Sequence, residues 1–233
     1  MSRNYKGIDI ILPVYHEEGN IEKVLLSIQK KVKYPHIVSL VFQDKKDPTI
    51  AIARKLTKKY KHRIIFTKDG IGIVKAIKEG IKSTKSAIIV VMMSDRSDDP
   101  QTINEMVKKL SEGYDLVSAC RYGSNGQRRG GPIIKGMLSY LACKSLRFFT
   151  GIPTNDATNA FKCFRRSFIS TITMESIYGY ELPLEITVKA FKQKRKIADV
   201  PTIWNDRKSG KSKFDLLQIL PHYLRWYLFA FQK

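Results

Sequence analysis

The stretch AIIVVMMSDRSDDP, residues 87–100, sets an unbroken apolar run directly against three aspartates and an arginine. The apolar part has the pattern of a short strand covered on both faces, as in a parallel sheet. Asp95, Asp98 and Asp99 then crowd like charges into five positions. That arrangement is unfavourable unless a divalent cation, Arg96 or the free N-terminus of a helix beginning near Pro100 offsets it. A plainer reading has Asp98 and Asp99 capping that helix while Asp95 is solvated.

The same unit recurs on either side. IDIILP (8–13) precedes a helix that Asn20 could cap, with Ile21, Val24, Leu25 and Ile28 on one face. HIVSLVF (36–42) precedes a helix opened by Pro48. RIIFT (63–67) precedes one bearing Val74, Ile77 and Ile81. The run 87–93 precedes one bearing Ile103, Met106, Val107 and Leu110, and YDLVSAC (114–120) reads as a fifth strand. Strands alternating with amphipathic helices predict an α/β fold with a mainly parallel sheet. Ligands of such sheets bind beyond the carboxyl ends of the strands, where PVYHEEGN, QDKKD, TKDGIG and SDRSDDP all fall.

The second half is less regular. A Gly/Arg-rich loop, RYGSNGQRRGGP, leads to a helix over 133–149. AFKCF (160–164) reads as a strand, LPLEITVKAFKQ as a helix, KIADVPTIW as a strand and NDRKSGKSK as a basic loop. The last twenty residues place Leu217, Leu220, Leu224, Tyr227, Leu228 and Phe231 at helical spacing, with Trp226 and Phe229 broadening the apolar face. Such a stripe either packs into the core or lies on an acidic leaflet. With no internal repeat or linker, the expectation is one domain over 1–233.

At 233 residues, 43% apolar and 27% charged, the chain is long enough for a sizeable core. Lysine and arginine number 42 against 21 acids, a net charge of +21, which calls for an anionic partner: nucleic acid, phosphorylated substrates or acidic lipids. Cys120, Cys143 and Cys163 fit neither a disulfide framework nor a zinc site, as expected for a reducing compartment. No apolar leader core and no run of spanning length is present, so the expected location is cytoplasmic.

Two tempting motifs fail. GKS at 210–212 lacks the upstream glycine of a phosphate-binding loop, since position 205 is Asn205, and GIG at 70–72 is not a dinucleotide fingerprint. The polar loops instead resemble glycosyltransferase family 2, in particular its polyprenyl (dolichyl) phosphate mannose or glucose synthase-like branch. PVYHEEGNIE is similar to that family's opening loop, with His16 in place of the usual asparagine. SDRSDDP resembles its acidic metal loop and CRYG its arginine-bearing strand end. DATNAFKCFRR (156–166), GYELPLEITVKA (179–190) and VPTIWNDRKSGKSKF (200–214) resemble its acceptor-half signatures, in the same order.

The resemblance implies a GT-A-type fold, a nucleotide-sugar donor, Mg²⁺ or Mn²⁺, and a lipid-phosphate acceptor. It divides the chain into a donor half (1–120), an acceptor half (121–213) and a C-terminal amphipathic helix (214–233). Pro13, Tyr15, Glu17, Gln43, Asp44, Asp47, Lys75 and Asp95 would line the donor. Gln43 stands where the family commonly has an aspartate. Met93 stands at the first aspartate of the metal motif, so Asp95 would hold the cation with support from Asp98, diphosphate oxygens and waters. Arg121, Arg128, Arg129, Lys135, Arg207, Lys211 and Lys213 would bind the acceptor phosphate, since arginine grips phosphate with two prongs. Asp156, Glu181 and Glu185 are the acids of that half. They could orient the arginines, hold the sugar or act as base. Asp95, Asp156, Arg121 and Arg207 form the expected catalytic set.

The implied reaction is hexose transfer, of mannose or glucose, with inversion at the anomeric carbon. A sugar hydroxyl acceptor needs a general base, whereas a lipid monophosphate is already ionised and needs only positive charge to place it. The second case suits this basic chain, peripheral to the cytoplasmic face of a membrane, with an acidic surface and an integral membrane protein as further partners. The rivals are transfer to a sugar hydroxyl of a glycan or lipid, a nucleic-acid-binding protein supported by charge alone, and a non-catalytic family member. No nucleic acid is expected.

Overall fold

The computed structural model describes residues 7–68, 70–206 and 216–232. Its strands and helices follow in the order β1 (Ile8–Val14), α1 (Ile21–Lys31), β2 (His36–Phe42), α2 (Thr49–Leu56), β3 (His62–Phe66), α3 (Ile73–Ser83), β4 (Ile88–Val91), α4 (Thr102–Ser111) and β5 (Leu116–Cys120). The second half adds β6 (Gln127–Arg129), α5 (Ile133–Thr150), β7 (Lys162–Arg165), α6 (Arg166–Ile169), α7 (Leu182–Lys192), β8 (Ile197–Pro201), β9 (Ile203–Asn205) and α8 (Leu216–Phe229).

Seven strands form one sheet in the order β3-β2-β1-β4-β7-β5-β8, and β6 pairs with β9 apart from it. Strands β1 to β4 are mutually parallel and β8 runs parallel to β5, while β7 lies antiparallel between β4 and β5. The expected mainly parallel α/β sheet of GT-A type is thus present. All seven residues of β1 are buried, because helices cover both of its faces. Alternation along the strand feeds two cores. Ile10 and Leu12 pack with Ile28 of α1, Ala53 of α2 and Met106 of α4. Ile11, between them, packs with Ile77 of α3 and with α7 through Ile186.

Three local expectations change. The run 87–93 is strand only over Ile88–Val91, because the Met93 N–H turns away to Asp98. Asn20 stands at the α1 N-cap position, but its side chain donates to Glu17 Oε2 at 2.7 Å and does not cap the helix. KIADVPTIW splits in two after Pro201: the Thr202 N–H still donates to the Cys120 carbonyl of β5 at 3.0 Å, while the Thr202 carbonyl accepts the Gln127 N–H at 2.9 Å and the chain crosses to β6. The free cysteines Cys120, Cys143 and Cys163 are all buried.

Candidate active site

From β1 and β4 the strand order runs outward in opposite directions, so the loops after these two strands diverge and leave a crevice. The loop after β1 is pinned from below by Asp47, which is 3% exposed. Its oxygens accept the N–H of His16 and of Thr49, each at 2.8 Å, and Thr49 Oγ1 accepts the Glu17 N–H at 2.9 Å. His16 adopts φ +55°, a left-handed conformation that asparagine and histidine tolerate better than most residues. That accounts for the exchange of one for the other here. Tyr15 packs edge-on against His16. His16, Glu18 and Asp47 place three potential metal-ligating atoms within 4.8 Å of one another, a cluster that sequence reasoning missed because Glu18 was not singled out.

The loop after β4 is fastened to β1 by Ser94 Oγ, which donates to the Pro13 carbonyl at 2.6 Å. Arg96 takes φ +66°, and the Ser97 N–H donates to Asp95 Oδ1 at 3.0 Å. Asp99 accepts the Gln101 N–H at 3.0 Å and pairs with Lys31 at 2.9 Å, so it does tie down the start of α4. Asp98 does not. It folds inward, one oxygen accepts the Met93 N–H at 3.2 Å, and the other is buried without a partner among the described residues. Burial, reinforced by the negative charge of Asp95, pushes the Asp98 carboxyl up to about 7, against the pull of the Met93 N–H and Arg121.

On the loops after β2 and β3, Gln43 Oε1 accepts the Gly72 N–H at 3.0 Å. Asp44 accepts the Lys46 N–H. Lys75 sits on the first turn of α3 beside Gly70 and Gly72, both at positive φ.

Across the crevice, Arg121 follows β5. Its Nε and Nη2 donate to the two oxygens of Asp156 at 2.7 and 2.8 Å, and its own N–H adds a third bond at 3.0 Å. Asp156 is wholly buried. Burial works against the Arg121 charge, but the carboxylate outweighs it and raises the arginine's pKa. Nη2 also donates to Thr158 Oγ1, which contacts Ser139 Oγ on α5 at 2.7 Å. The charges of Arg121 and Asp156 both act on Asp98, so the acidic loop and the Arg121–Asp156 pair meet at one place.

Arg128 lies over the Trp204 ring, 5.3 Å from its centre, and donates to the Pro132 carbonyl. Arg129 turns to Gln127 Oε1, and Lys135 is half-buried in the first turn of α5. Arg207, Lys211 and Lys213 lie outside the described residues. Glu185 is a correction: its carboxylate accepts from Ser176, the Glu175 N–H and Lys189, so it holds a turn and orients none of the arginines. Glu181 accepts the Ile177 and Tyr178 N–H groups with one oxygen, while the other is buried without a described partner. Sequence reasoning also missed Lys162, a wholly buried lysine in β7 that donates to Ser118 Oγ at 2.6 Å; a lysine inside AFKCF was the available signal.

A mainly parallel sheet with two carboxylates on one side of its switch-point crevice and a buried arginine-carboxylate pair on the other has the architecture of a GT-A-type transferase. The family model of Glycosyl transferase family 2 matches residues 9–173, and the chain belongs to that family. It is 24% identical over 230 residues to the dolichol-phosphate mannosyltransferase of Pyrococcus furiosus, covering 94% of this chain and 64% of that protein, so the chain spans less than two thirds of that relative's length. It is 25% identical over 212 residues to the polyprenol monophosphomannose synthase of Mycolicibacterium smegmatis, covering 88% of this chain and 79% of that one. Among solved structures, glucosyl-3-phosphoglycerate synthase from Mycobacterium tuberculosis, in complex with Mn²⁺, uridine diphosphate and glucosyl-3-phosphoglycerate, superposes with a TM-score of 0.74 at 19% identity, covering 97% of this chain and 80% of that one.

Proposed function

We propose that this chain moves a hexose, mannose or glucose, from a nucleotide sugar to a polyprenyl phosphate with inversion at the anomeric carbon. The observation that carries this reading is the pairing of an acidic loop with a positive acceptor half in which, among the described residues, the two acids expected at the site, Asp156 and Glu185, are held by other groups. Both Asp156 oxygens are committed to Arg121, and Glu185 is committed to its turn. An ionised phosphate needs no base, so Arg121 and Arg128 would place it while Asp156 fixes the Arg121 fork. The relatives named for dolichol- and polyprenol-phosphate mannose synthesis support the same acceptor class.

The residues present fit a divalent cation. Asp98 buries a carboxylate oxygen that nothing described satisfies, next to the like charge of Asp95. Asp95 and Asp98 would hold Mg²⁺ or Mn²⁺, which when bound offsets the charge developing on the departing nucleoside diphosphate. Pro13, Tyr15, Glu17, Gln43, Asp44, Asp47 and Lys75 surround the donor side of the crevice in this reading. The chain works at the cytoplasmic face of a membrane, where its acceptor resides, with an integral membrane protein as a further partner.

The test is transfer of radiolabel from a panel of GDP- and UDP-sugars into the organic phase, with polyprenyl phosphate and Mg²⁺ or Mn²⁺, for wild type and Asp95→Ala. Labelling with one donor that disappears in the variant is the expected result. Donor binding without labelling would overturn it and direct attention to hydroxyl acceptors, with Glu181 as the acid to test, since one of its buried oxygens has no described partner.

A further inference from the structure

The function proposed above gives His16 and Glu18 no task, yet with Asp47 they converge from two different loops. His16 and Glu18 follow β1 and Asp47 follows β2, and each brings one metal-ligating atom within 4.8 Å of the others. A tetrahedral ion with bonds of about 2.0–2.2 Å spaces its donors about 3.4 Å apart. His16 and Glu18 are exposed, so rotation of their side chains closes the difference while the backbone stays in place. Asp47 is the fixed member, buried and oriented by the N–H groups of His16 and Thr49. Each of its oxygens accepts one of these bonds and keeps a further lone pair. Glu18 leans the same way, with Oε2 accepting the Thr49 hydroxyl at 3.4 Å, and Tyr15 steadies the imidazole edge-on at 4.5 Å between ring centres.

Charge points to a cation. The chain has 42 lysines and arginines against 21 acids, yet among the described residues neither Glu18 nor Asp47 forms an ion pair. Nor do the ring nitrogens of His16 have a hydrogen-bond partner among those residues. Two carboxylates held this close repel each other, and a divalent ion between them reverses the sign of the interaction. The donor set decides which ion. One imidazole nitrogen with two carboxylate oxygens suits Zn²⁺ and its transition-metal neighbours, whereas Mg²⁺ favours an octahedron of oxygens. Histidine at position 16, where the resembling loop has asparagine, keeps the left-handed backbone and supplies that nitrogen.

We propose that His16, Glu18 and Asp47 form a binding site for a transition metal of the Zn²⁺ type, built from different residues than the cation place at Asp95 and Asp98. One ion there ties the loop after β1 to the loop after β2, at the carboxyl ends of two hydrogen-bonded parallel strands, and keeps a fourth position for water. The consequence of that tie for a bound donor rests on the function proposed above. The metal site itself does not.

The test is calorimetric titration of the full chain with Zn²⁺, in excess Mg²⁺ and without donor or acceptor, with the visible absorption of bound Co²⁺ as a second readout. Wild type binds one Zn²⁺ that Mg²⁺ does not displace, and Zn²⁺ erases the Co²⁺ bands. His16→Asn keeps the left-handed turn and the metal-free melting temperature. It loses about a hundredfold or more in Zn²⁺ affinity, since even the groups that hydrogen-bond to a metal ligand are worth about 10–100-fold. Glu18→Gln, at an exposed position, weakens binding in the same direction, and Asp95→Ala retains the ion. Three results would overturn the site: a wild type that takes up no Zn²⁺ in excess Mg²⁺, a His16→Asn or Glu18→Gln variant that binds it like wild type, or an Asp95→Ala variant that loses it. Binding is read without turnover, so a failed transfer assay and a failed metal site are told apart.

Discussion

Arg121 and Asp156 meet in a two-pronged ion pair, Nε to Oδ2 at 2.7 Å and Nη2 to Oδ1 at 2.8 Å, in which the carboxylate has no solvent exposure. Removing one partner of such a pair strands the other charge in a medium that solvates it poorly. Asp156→Ala is expected to lower stability by about 3–5 kcal/mol in urea denaturation. A loss below about 1 kcal/mol would mean that the pair behaves like a surface contact and that water reaches the guanidinium.

Asp98→Asn tests the cation site apart from turnover. The amide oxygen can still accept the Met93 N–H, while the repulsion from Asp95 disappears. The metal-free variant should therefore melt at or above the wild-type temperature. Its Mn²⁺ affinity, measured by calorimetry, should fall by about tenfold or more. Unchanged Mn²⁺ binding would exclude Asp98 as a ligand and turn attention to His16, Glu18 and Asp47.

Gly136 lies within α5 where an added Cβ would come 2.4 Å from Arg128 Nη1 and 2.7 Å from its Cζ. The guanidinium ends a flexible chain and can swing aside, and alanine favours an internal helical position over glycine by about 1 kcal/mol. Gly136→Ala should thus fold at least as stably as wild type while lifting Arg128 off Trp204. Altered tryptophan fluorescence and several-fold weaker binding of pyrophosphate are the expected readouts; unaltered fluorescence would show that Arg128 does not depend on the gap.

Burial lowers the pKa of Lys162 to about 8, although the charges of Asp156 and Asp199 pull the other way. Between that value and the ordinary lysine range the unfolded chain binds more protons than the folded one. The lysine's contribution to stability therefore rises with pH across this window, by an amount of the order of 3 kcal/mol when complete. Urea midpoints of wild type and Lys162→Met at pH 7.5 and about pH 10 isolate the effect, since other alkaline titrations are shared. Wild type should gain on the variant as the pH rises, and a constant difference would contradict a neutral buried amine.

Much of this was legible in the residues because period and punctuation agreed. The continuous apolar runs at 8–13 and 36–42 could only be strands covered twice, and the loops after them had to share a rim. Asp95 could be assigned to that rim from order alone, and Arg121 from the resemblance of CRYG to the family's arginine-bearing strand end. What the sequence did not disclose was direction. Asp98 and Asp99 are adjacent and chemically alike, yet one turns inward to the Met93 N–H and the other turns outward to the Gln101 N–H and Lys31. The stripe of Leu220, Leu224 and Leu228 was visible, but periodicity identifies a face without saying which way it points. Glu185 resembled a site acid until Ser176 and Lys189 were seen to occupy it.

The reversed strand β7 bears on how the chain can be divided. It fills the place between β4 and β5, so a fragment ending at Cys120 would hold both of those strands with nothing between them. Each would offer a bare edge, the template on which foreign chains pair. The first 120 residues are for this reason not a cassette that can be excised, swapped or matured ahead of the rest. A nascent chain has no closed central sheet until Arg165 has left the ribosome, and chaperone demand should persist up to that point.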